Sequence, residues 1–200
     1  MSRWRPEQLV CLLLLPLLAA CQRSVFELPP STAGNCDPQL VGRWQSPEDQ
    51  VKTDEVKLSI DAQCRLSGEV YQGDRLRPVE PSQVHTVRWQ EQSILWLDAA
   101  WVNRNFAVET GPLDDGKGVY LYRYRIENEH LILDPPSTPA LAQAVASGDI
   151  EGDLLKQGED WTVRIRGNRS NNRKALGIGL AASKDPLTLV RGARVDSQND

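Results

Sequence analysis

Cysteine and histidine are the residue types most able to do chemistry in this 200-residue sequence. Cys36 and Cys64 could hold a metal ion, supply a nucleophilic thiol or form a disulfide. A metal site would need closely spaced cysteines or neighbouring histidines, but His85 and His130 lie in separate segments. A catalytic thiol is disfavoured because the second cysteine is available to pair with it in a disulfide. We therefore predict no metal ligands and no cysteine nucleophile.

No other pattern in the sequence is typical of catalysis. No serine has the G-x-S-x-G setting of a hydrolase nucleophile. The glycines of "LGIGLAAS", which begins at Leu176, lack the full dinucleotide fingerprint and a strand–helix–strand context. His85 alternates with Val87 and Trp89, which is typical of a partly buried core histidine. Carboxylate pairs fall in turn-like stretches where solvated side chains are expected: Glu48 with Asp49, Asp54 with Glu55, and Asp114 with Asp115.

We therefore predict no catalytic residue and no cofactor. An envelope enzyme of unrecognised type is the alternative, and a deep pocket lined by convergent polar groups would favour it.

The first 20 residues have the layout of an export signal. Arg3 and Arg5 precede an apolar run over residues 9–20. The run contains Pro16 and is shorter than the roughly 20 residues that span a bilayer. A positive start, an apolar centre and small residues at the end are typical of a secretory signal peptide. We predict that residues 1–20 are removed on export.

The end of this signal is more specific. Leu18-Ala19-Ala20-Cys21 resembles the lipobox of bacterial lipoproteins. The resemblance implies that Cys21 is lipidated, that the chain is cut before it and that its new amino group is acylated. Several acyl chains would anchor the protein stably in a membrane. Because Gln22 follows, and not Asp, the resemblance implies the outer membrane, facing the periplasm; an ordinary secretory signal is the alternative.

Export would place Cys36 and Cys64 in an oxidising compartment. They are the two cysteines that remain after Cys21, since Cys11 lies in the removed part. We predict that they form a disulfide, which stabilises the fold by about 3–4 kcal/mol on the chain-entropy estimate.

Removal of the signal leaves 180 residues, enough for one domain with a proper core. Residues 21–34 are rich in Pro, Ser, Thr and Gly, a composition that predicts a lipidated, flexible tether. We predict a single β-rich domain over residues 35–195 and a disordered tail over residues 196–200.

Strands dominate the predicted domain. Alternation with a period of two places Val56, Leu58 and Ile60 on one side of a strand. Residues 119–126 and 161–166 alternate in the same way. Further strands, separated by turn signals, are predicted over residues 41–46, 64–72, 83–90, 94–97, 104–110, 131–134, 150–156 and 187–191.

One short helix is predicted in "STPALAQAVASG". Ser137 or Thr138 would be its N-cap, Pro139 would occupy the first helical position, and Gly148 would end it. About ten short antiparallel strands with one short helix predict a mainly β domain, either a barrel or a sandwich.

The first strand of the domain carries a further resemblance. Gly42-Arg43-Trp44 is similar to the G-x-W signature of the lipocalins, closed eight-stranded barrels that hold small apolar ligands. The resemblance implies that Trp44 closes one end of the core and that Gly42 permits a sharp turn. A core tryptophan beside a tight turn is the alternative. Ligand contacts are predicted at Trp44, Trp89 and Tyr122, but we favour a filled interior with a shallow open end near Trp44.

Basic side chains concentrate towards the end of the chain. Residues 160–200 carry eight basic and four acidic side chains, although the whole chain has a net charge of −4. This basic cluster could bind an anionic envelope polymer or an acidic protein, and a solvated strand face is the alternative. The acidic total argues against nucleic acid. The cluster consists of Arg164, Arg166, Arg169, Arg173 and Lys174.

Together these patterns predict a lipid-anchored envelope protein whose β-rich domain binds a partner or supports an assembly. The expected partners are the membrane, through the N-terminal lipid, and an envelope protein or anionic envelope polymer. A lipocalin-like carrier of a small apolar ligand is a second alternative beside the enzyme.

Overall fold

A computed structural model describes residues 22–47, 55–72, 75–106, 117–157, 160–184 and 186–192. The predicted signal peptide, Cys21, the tail over 196–200 and most of the carboxylate pairs lie outside these residues. The described residues form a mainly β fold, as predicted. Its strands are β1 (Gln22–Phe26), β2 (Gly42–Gln45), β3 (Val56–Ile60), β4 (Arg65–Gln72), β5 (Arg75–Gln83), β6 (His85–Trp89), β7 (Gln92–Asp98), β8 (Val119–Glu127), β9 (His130–Asp134), β10 (Gly152–Gln157), β11 (Asp160–Ile165) and β12 (Leu187–Arg191).

These strands form one mixed sheet. Ten of them follow the order β10-β11-β1-β8-β9-β12-β2-β3-β4-β5, and β6 and β7 attach through β8. The pair β1–β11 is parallel, so the sheet is mixed and not antiparallel throughout. Most of the domain separates these two strands in the chain, and a long crossover is what a parallel pair requires.

The sheet does not close into a barrel within the described residues. In the described sheet β5 pairs only with β4, and β6 pairs only with β7. Strands β5 and β6 follow one another in the chain but do not pair with each other. The eight-stranded closed barrel that the lipocalin resemblance implies is therefore not formed.

Strands β7 and β8 divide the hydrophobic interior into two cores. Alternate side chains point to opposite faces of a strand, so Leu95 and Tyr124 enter the first core while Ile94 and Leu121 enter the second. The first core is enclosed by β2–β5, β9, β12 and helix α1 (Ala99–Asn105). The second core lies beneath helices α2 (Thr138–Ala146) and α3 (Arg169–Ala181).

Helix α2 is the helix predicted from sequence. Ser137 is its N-cap and accepts a hydrogen bond from the backbone N–H of Ala140 at 3.4 Å. Pro139 lies in its first turn. The predicted end is also confirmed, because Gly148 follows with a φ of 77°, a conformation that favours glycine.

Helix α1 shows that the strand predicted over residues 104–110 is wrong where the structure describes it. Asp98 accepts a hydrogen bond from the backbone N–H of Trp101 at 2.8 Å and so begins a helix. The chain stays helical through Asn105, and residues 107–116 lie outside the described residues.

Helix α3 is a further correction to the prediction of one helix. Asn168 caps it by accepting from the backbone N–H groups of Ser170 and Asn171. Gly177 and Gly179 conceal it in the sequence, because glycine disfavours helices. Packing explains Gly179: a Cβ there would lie 2.7 Å from the Cβ of Pro136. Its buried residues recur at helical spacing: Asn172, Ala175, Leu176, Gly179 and Leu180.

The segment predicted to be a tether is part of the fold from Gln22 onwards. Strand β1 runs beside β11 from the pair Gln22–Trp161 to the pair Phe26–Ile165, and Phe26 is fully buried. The carbonyl of Leu28 then accepts a hydrogen bond from Asn172 of α3 at 2.6 Å. Composition alone did not predict this strand, because the backbone of β1 forms its hydrogen bonds with β11, which is distant in the chain.

The sulfur atoms of Cys36 and Cys64 are 2.08 Å apart, so the predicted disulfide is present. It joins the segment after β1 to the turn between β3 and β4, at the edge of the first core.

Candidate functional site

Strand β8 changes its neighbour along its length, and this change opens a cleft. Val119 pairs with Phe26 of β1, whereas residues 123–127 pair with β9. Between these two ladders, residues 120–122 pair only with β7 in the described sheet. A cleft of about 130 Å³ lies there, and we call it the β1–β8 cleft. Its polar and proline lining includes Arg23, Ser24, Tyr120, Tyr122, Pro136 and Thr138.

Hydroxyl groups dominate the polar lining of the β1–β8 cleft. Ser24 Oγ and Thr138 Oγ1 are both buried and share a hydrogen bond of 2.8 Å. The Tyr120 hydroxyl donates to Asn103 Oδ1 at 3.0 Å. Burial, with a smaller effect from Tyr120, raises the pKa of Tyr122 to about 12. The Tyr122 phenol is therefore neutral at physiological pH.

The size of the β1–β8 cleft limits what it can hold. Its volume of about 130 Å³ is below the roughly 300–1,000 Å³ of typical small-molecule sites. A volume of this size suits a few waters or a small polar group.

A wider groove of about 500 Å³ lies at the other end of β1, beside Glu27, Glu151, Arg166 and Gly167. Its charges are largely paired. Glu27 accepts from Arg164 Nε at 3.0 Å and from the backbone N–H of Gly167 at 3.2 Å. Arg166 pairs with Asp153 at 2.7 Å. Glu27 and Arg166, which line this groove, are therefore already engaged in ion pairs.

The basic cluster predicted from sequence is divided by the fold. Arg164 lies on the face of β11 opposite to α3, since the alternate β11 residues belong to the core beneath that helix. Helix α3 carries the other part of the cluster. There Arg173 and Lys174 each donate to a backbone carbonyl, and Arg169 is exposed. Arg164 and the part of the cluster on α3 therefore lie on different faces of β11.

The three aromatic residues predicted to contact a ligand lie apart. Trp44 is 1% exposed, its Nε1 donates to the carbonyl of Leu40 at 2.8 Å, and the Arg191 guanidinium lies 4.3 Å from its ring centroid. Arg191 therefore covers the ring at which a shallow opening was expected. Trp89 packs against the second core and Tyr122 against the first. Only Tyr122 lines the β1–β8 cleft.

His85 is partly buried, as predicted. Its ring stacks on Trp96 of the paired strand, with the two ring centroids 5.5 Å apart. Burial lowers the pKa of the imidazole below its usual value of 6.5. The geometry therefore supports a core position for His85.

Arg23, Ser24 and Thr138 line the cleft although sequence reasoning did not select them. In β1 the available signal was the alternation of Ser24 and Phe26, both buried, with Arg23 and Val25. Five residues are too few to distinguish this pattern from a linker. Thr138 was considered only as a helix cap.

In the described ranges, no group of three or more His, Cys, Asp or Glu side chains could hold a metal ion. No helix within the described part of the chain is long and apolar enough to cross a bilayer. Comparison of the chain with protein-family models, with curated proteins and with solved structures finds no match.

Proposed function

We propose that this chain is a lipid-anchored protein of the bacterial cell envelope whose β-rich domain serves in binding or assembly. The observation that carries the anchor is Leu18-Ala19-Ala20-Cys21 at the end of an apolar run preceded by Arg3 and Arg5. Cysteine in this position is the acceptor of the lipid in bacterial lipoproteins. The protein would lie in the outer membrane and face the periplasm.

The geometry supports a role in binding or assembly more than transport of an apolar ligand. The β1–β8 cleft holds about 130 Å³, and Arg191 covers the ring of Trp44. Within the described sheet, the outer edge of β10 is not paired with another strand, and Leu154 on this strand is 47% exposed. Such an edge offers backbone donors and acceptors to an extended segment of a partner.

Replacement of Cys21 by serine tests the anchor. The full chain, expressed in a Gram-negative host, should sediment with membranes, and its N-terminal peptide should carry acyl chains by mass spectrometry. Cys21→Ser should lack the acyl mass and move to the soluble fraction, because serine has no thiol to alkylate.

Cys11→Ser is the matched control, since Cys11 lies inside the signal and should leave the anchor intact. A Cys21→Ser protein that sediments with membranes as the wild type does would refute the proposal.

A further inference from the structure

We infer that a second copy of this chain pairs with the outer edge of β10, so that two β10 strands run antiparallel across a two-fold axis at Leu154. The inference rests on the binding or assembly role proposed above and does not depend on the lipid anchor. It names the partner and the residues that meet it.

Two other strands at the edges of the described sheet are protected from such pairing. Strand β5 contains Pro78 and Pro81, which have no backbone N–H to donate, and α1 engages the N–H and the carbonyl of Glu80. On β6, the carbonyl of Thr86 accepts a hydrogen bond from the backbone N–H of Gly34 at 2.7 Å. The segment after β1 therefore lies against the edge of β6.

Strand β10 has neither kind of protection. It contains no proline, and in the described sheet it pairs only with β11. Its outer edge therefore presents backbone donors and acceptors to a further strand.

Backbone hydrogen bonds show which groups of β10 face outward. The N–H of Arg166 donates to the carbonyl of Glu151 at 3.0 Å, so Glu151 bonds towards the side of β11. Because the two kinds of position alternate along an antiparallel ladder, the backbone groups of Gly152, Leu154 and Lys156 point away from β11. Within the described part of the chain, no other segment forms a backbone hydrogen bond with them.

These three outward positions are symmetric about Leu154. In an antiparallel pair centred there, Leu154 faces its own copy and Gly152 faces Lys156 of the second copy. Three residue pairs, each of which exchanges two backbone hydrogen bonds, give about six in total. The edge therefore matches itself through a two-fold axis, as the interface of a symmetric dimer must.

The side chains suit this register. Leu154 is 47% exposed, and the pairing would cover it. Gly152 leaves space for the long side chain that lies opposite. Asp153 would face Leu155 of the second copy, and it is already paired with Arg166 at 2.7 Å. A register centred on Asp153 would instead place two aspartates face to face, and like charges directly opposite destabilise a sheet.

Cysteine cross-linking tests the pairing in the full chain, purified in a mild detergent. At a hydrogen-bonded pair the two Cα atoms lie about 5.5 Å apart, within the range of a disulfide. Leu154→Cys should therefore give a disulfide-linked dimer on mild oxidation. Leu187→Cys is the matched control, because Leu187 is 48% exposed but lies on β12, which pairs with both β9 and β2.

The amount of linked dimer is the readout. It should be several-fold greater for Leu154→Cys than for Leu187→Cys. It should also exceed that of the wild type, which measures any linkage through Cys11 or Cys21. Equal amounts at the two positions would overturn the inference.

A charge at the axis provides the second arm. In Leu154→Lys two ammonium groups would face each other and repel. Light scattering, corrected for bound detergent, should report a dimer for the wild type and for Leu187→Lys, and a monomer for Leu154→Lys. Circular dichroism should show the wild-type fold in both variants, because both positions are exposed. A monomeric wild type, or a dimer that persists in Leu154→Lys, would refute the pairing.

Mass spectrometry of the N-terminal peptide on the same samples separates this inference from the anchor. A chain that is acylated but monomeric contradicts the pairing alone. A dimer that carries no acyl chain supports the pairing and contradicts the anchor.

Discussion

Gly42 shows how the lack of one side chain organises a buried ring. Its φ is 145°, and a Cβ there would lie 2.5 Å from Nη1 of Arg191. The absence of a side chain lets the Arg191 guanidinium lie over Trp44. Arg191 also donates to the carbonyls of Val41 and Gln39, at 3.0 and 3.1 Å. One glycine thus permits a cation to cover the tryptophan and hold the chain on either side of Leu40.

At the same scale, His85 should make stability depend on pH. Burial lowers the pKa of its imidazole below 6.5, so the unfolded chain binds a proton more readily than the folded chain. The contribution of His85 to stability is therefore complete above about pH 6.5 and declines as pH falls from there towards the folded-state pKa. Urea unfolding at about pH 7.5 and about pH 5.5 should show a smaller pH-dependent loss for His85→Gln than for the wild type.

His130→Gln is the control for removal of a histidine, because His130 is exposed at the start of β9. The explanation fails if His85→Gln loses as much stability on acidification as the wild type does.

Among the elements, helix α1 completes the wall of the first core where the sheet leaves an edge. The backbone N–H of Glu80 on β5 donates to Asn105 Oδ1 at 2.9 Å. The carbonyl of the same residue accepts from Trp101 Nε1 at 2.7 Å. Asn105 is held in place by its own donation to the carbonyl of Trp101 at 2.9 Å. The side chains of Trp101 and Asn105 therefore satisfy the backbone carbonyl and N–H of Glu80, as a neighbouring strand would.

This arrangement predicts that Asn105 stabilises the fold more than its position at a helix end would indicate. Asn105→Ala should lower the free energy of unfolding by about 1–3 kcal/mol, because the part-buried backbone N–H of Glu80 loses its acceptor. Urea denaturation measures the change.

Arg104→Ala is the matched control on the same helix. Arg104 is 58% exposed, and its pair with Glu80 spans 3.4 Å. Exposed pairs of this kind contribute less than about 1 kcal/mol. An equal loss from the two substitutions would contradict the edge-covering role of α1.

Considered whole, the molecule consists of two filled cores on either side of β7 and β8. The aromatic rings of Trp44, Trp96, Trp101 and Tyr124 are each less than one-tenth exposed. The polar atoms of three of these rings have partners within the fold: Trp44 donates to Leu40, Trp101 donates to Glu80, and Tyr124 donates to Asp37 Oδ2 at 2.7 Å. Rings satisfied in this way are part of the structure and are not available to a ligand.

The filled interior predicts weak binding of apolar ligands. Hydrophobic fluorescent probes should bind the folded domain no more tightly than about millimolar, which corresponds to roughly 4 kcal/mol. Tryptophan quenching in a titration measures this affinity. Saturable binding near micromolar that a fatty acid displaces would contradict the filled interior and favour the carrier.

Local patterns in the sequence were sufficient for several features of this protein. The alternation of Val56, Leu58 and Ile60 predicts β3, and Ser137 with Pro139 predicts the start of α2, because each depends on residues a few positions apart. The disulfide was also predictable, since Cys36 and Cys64 are the two cysteines that follow Cys21. The lipid anchor at Cys21 is likewise a sequence prediction, and the Cys21→Ser experiment tests it.

Contacts between distant parts of the chain determined the features that local patterns did not predict. Strand β1 exists because β11 supplies its ladder, and α3 tolerates Gly179 because Pro136 occupies the space of a side chain. The β1–β8 cleft arises because β8 exchanges β1 for β9 as its neighbour. Each of these features depends on contacts between residues far apart in the chain. Propensities and alternation report only local preference, whereas these contacts form when the whole chain folds.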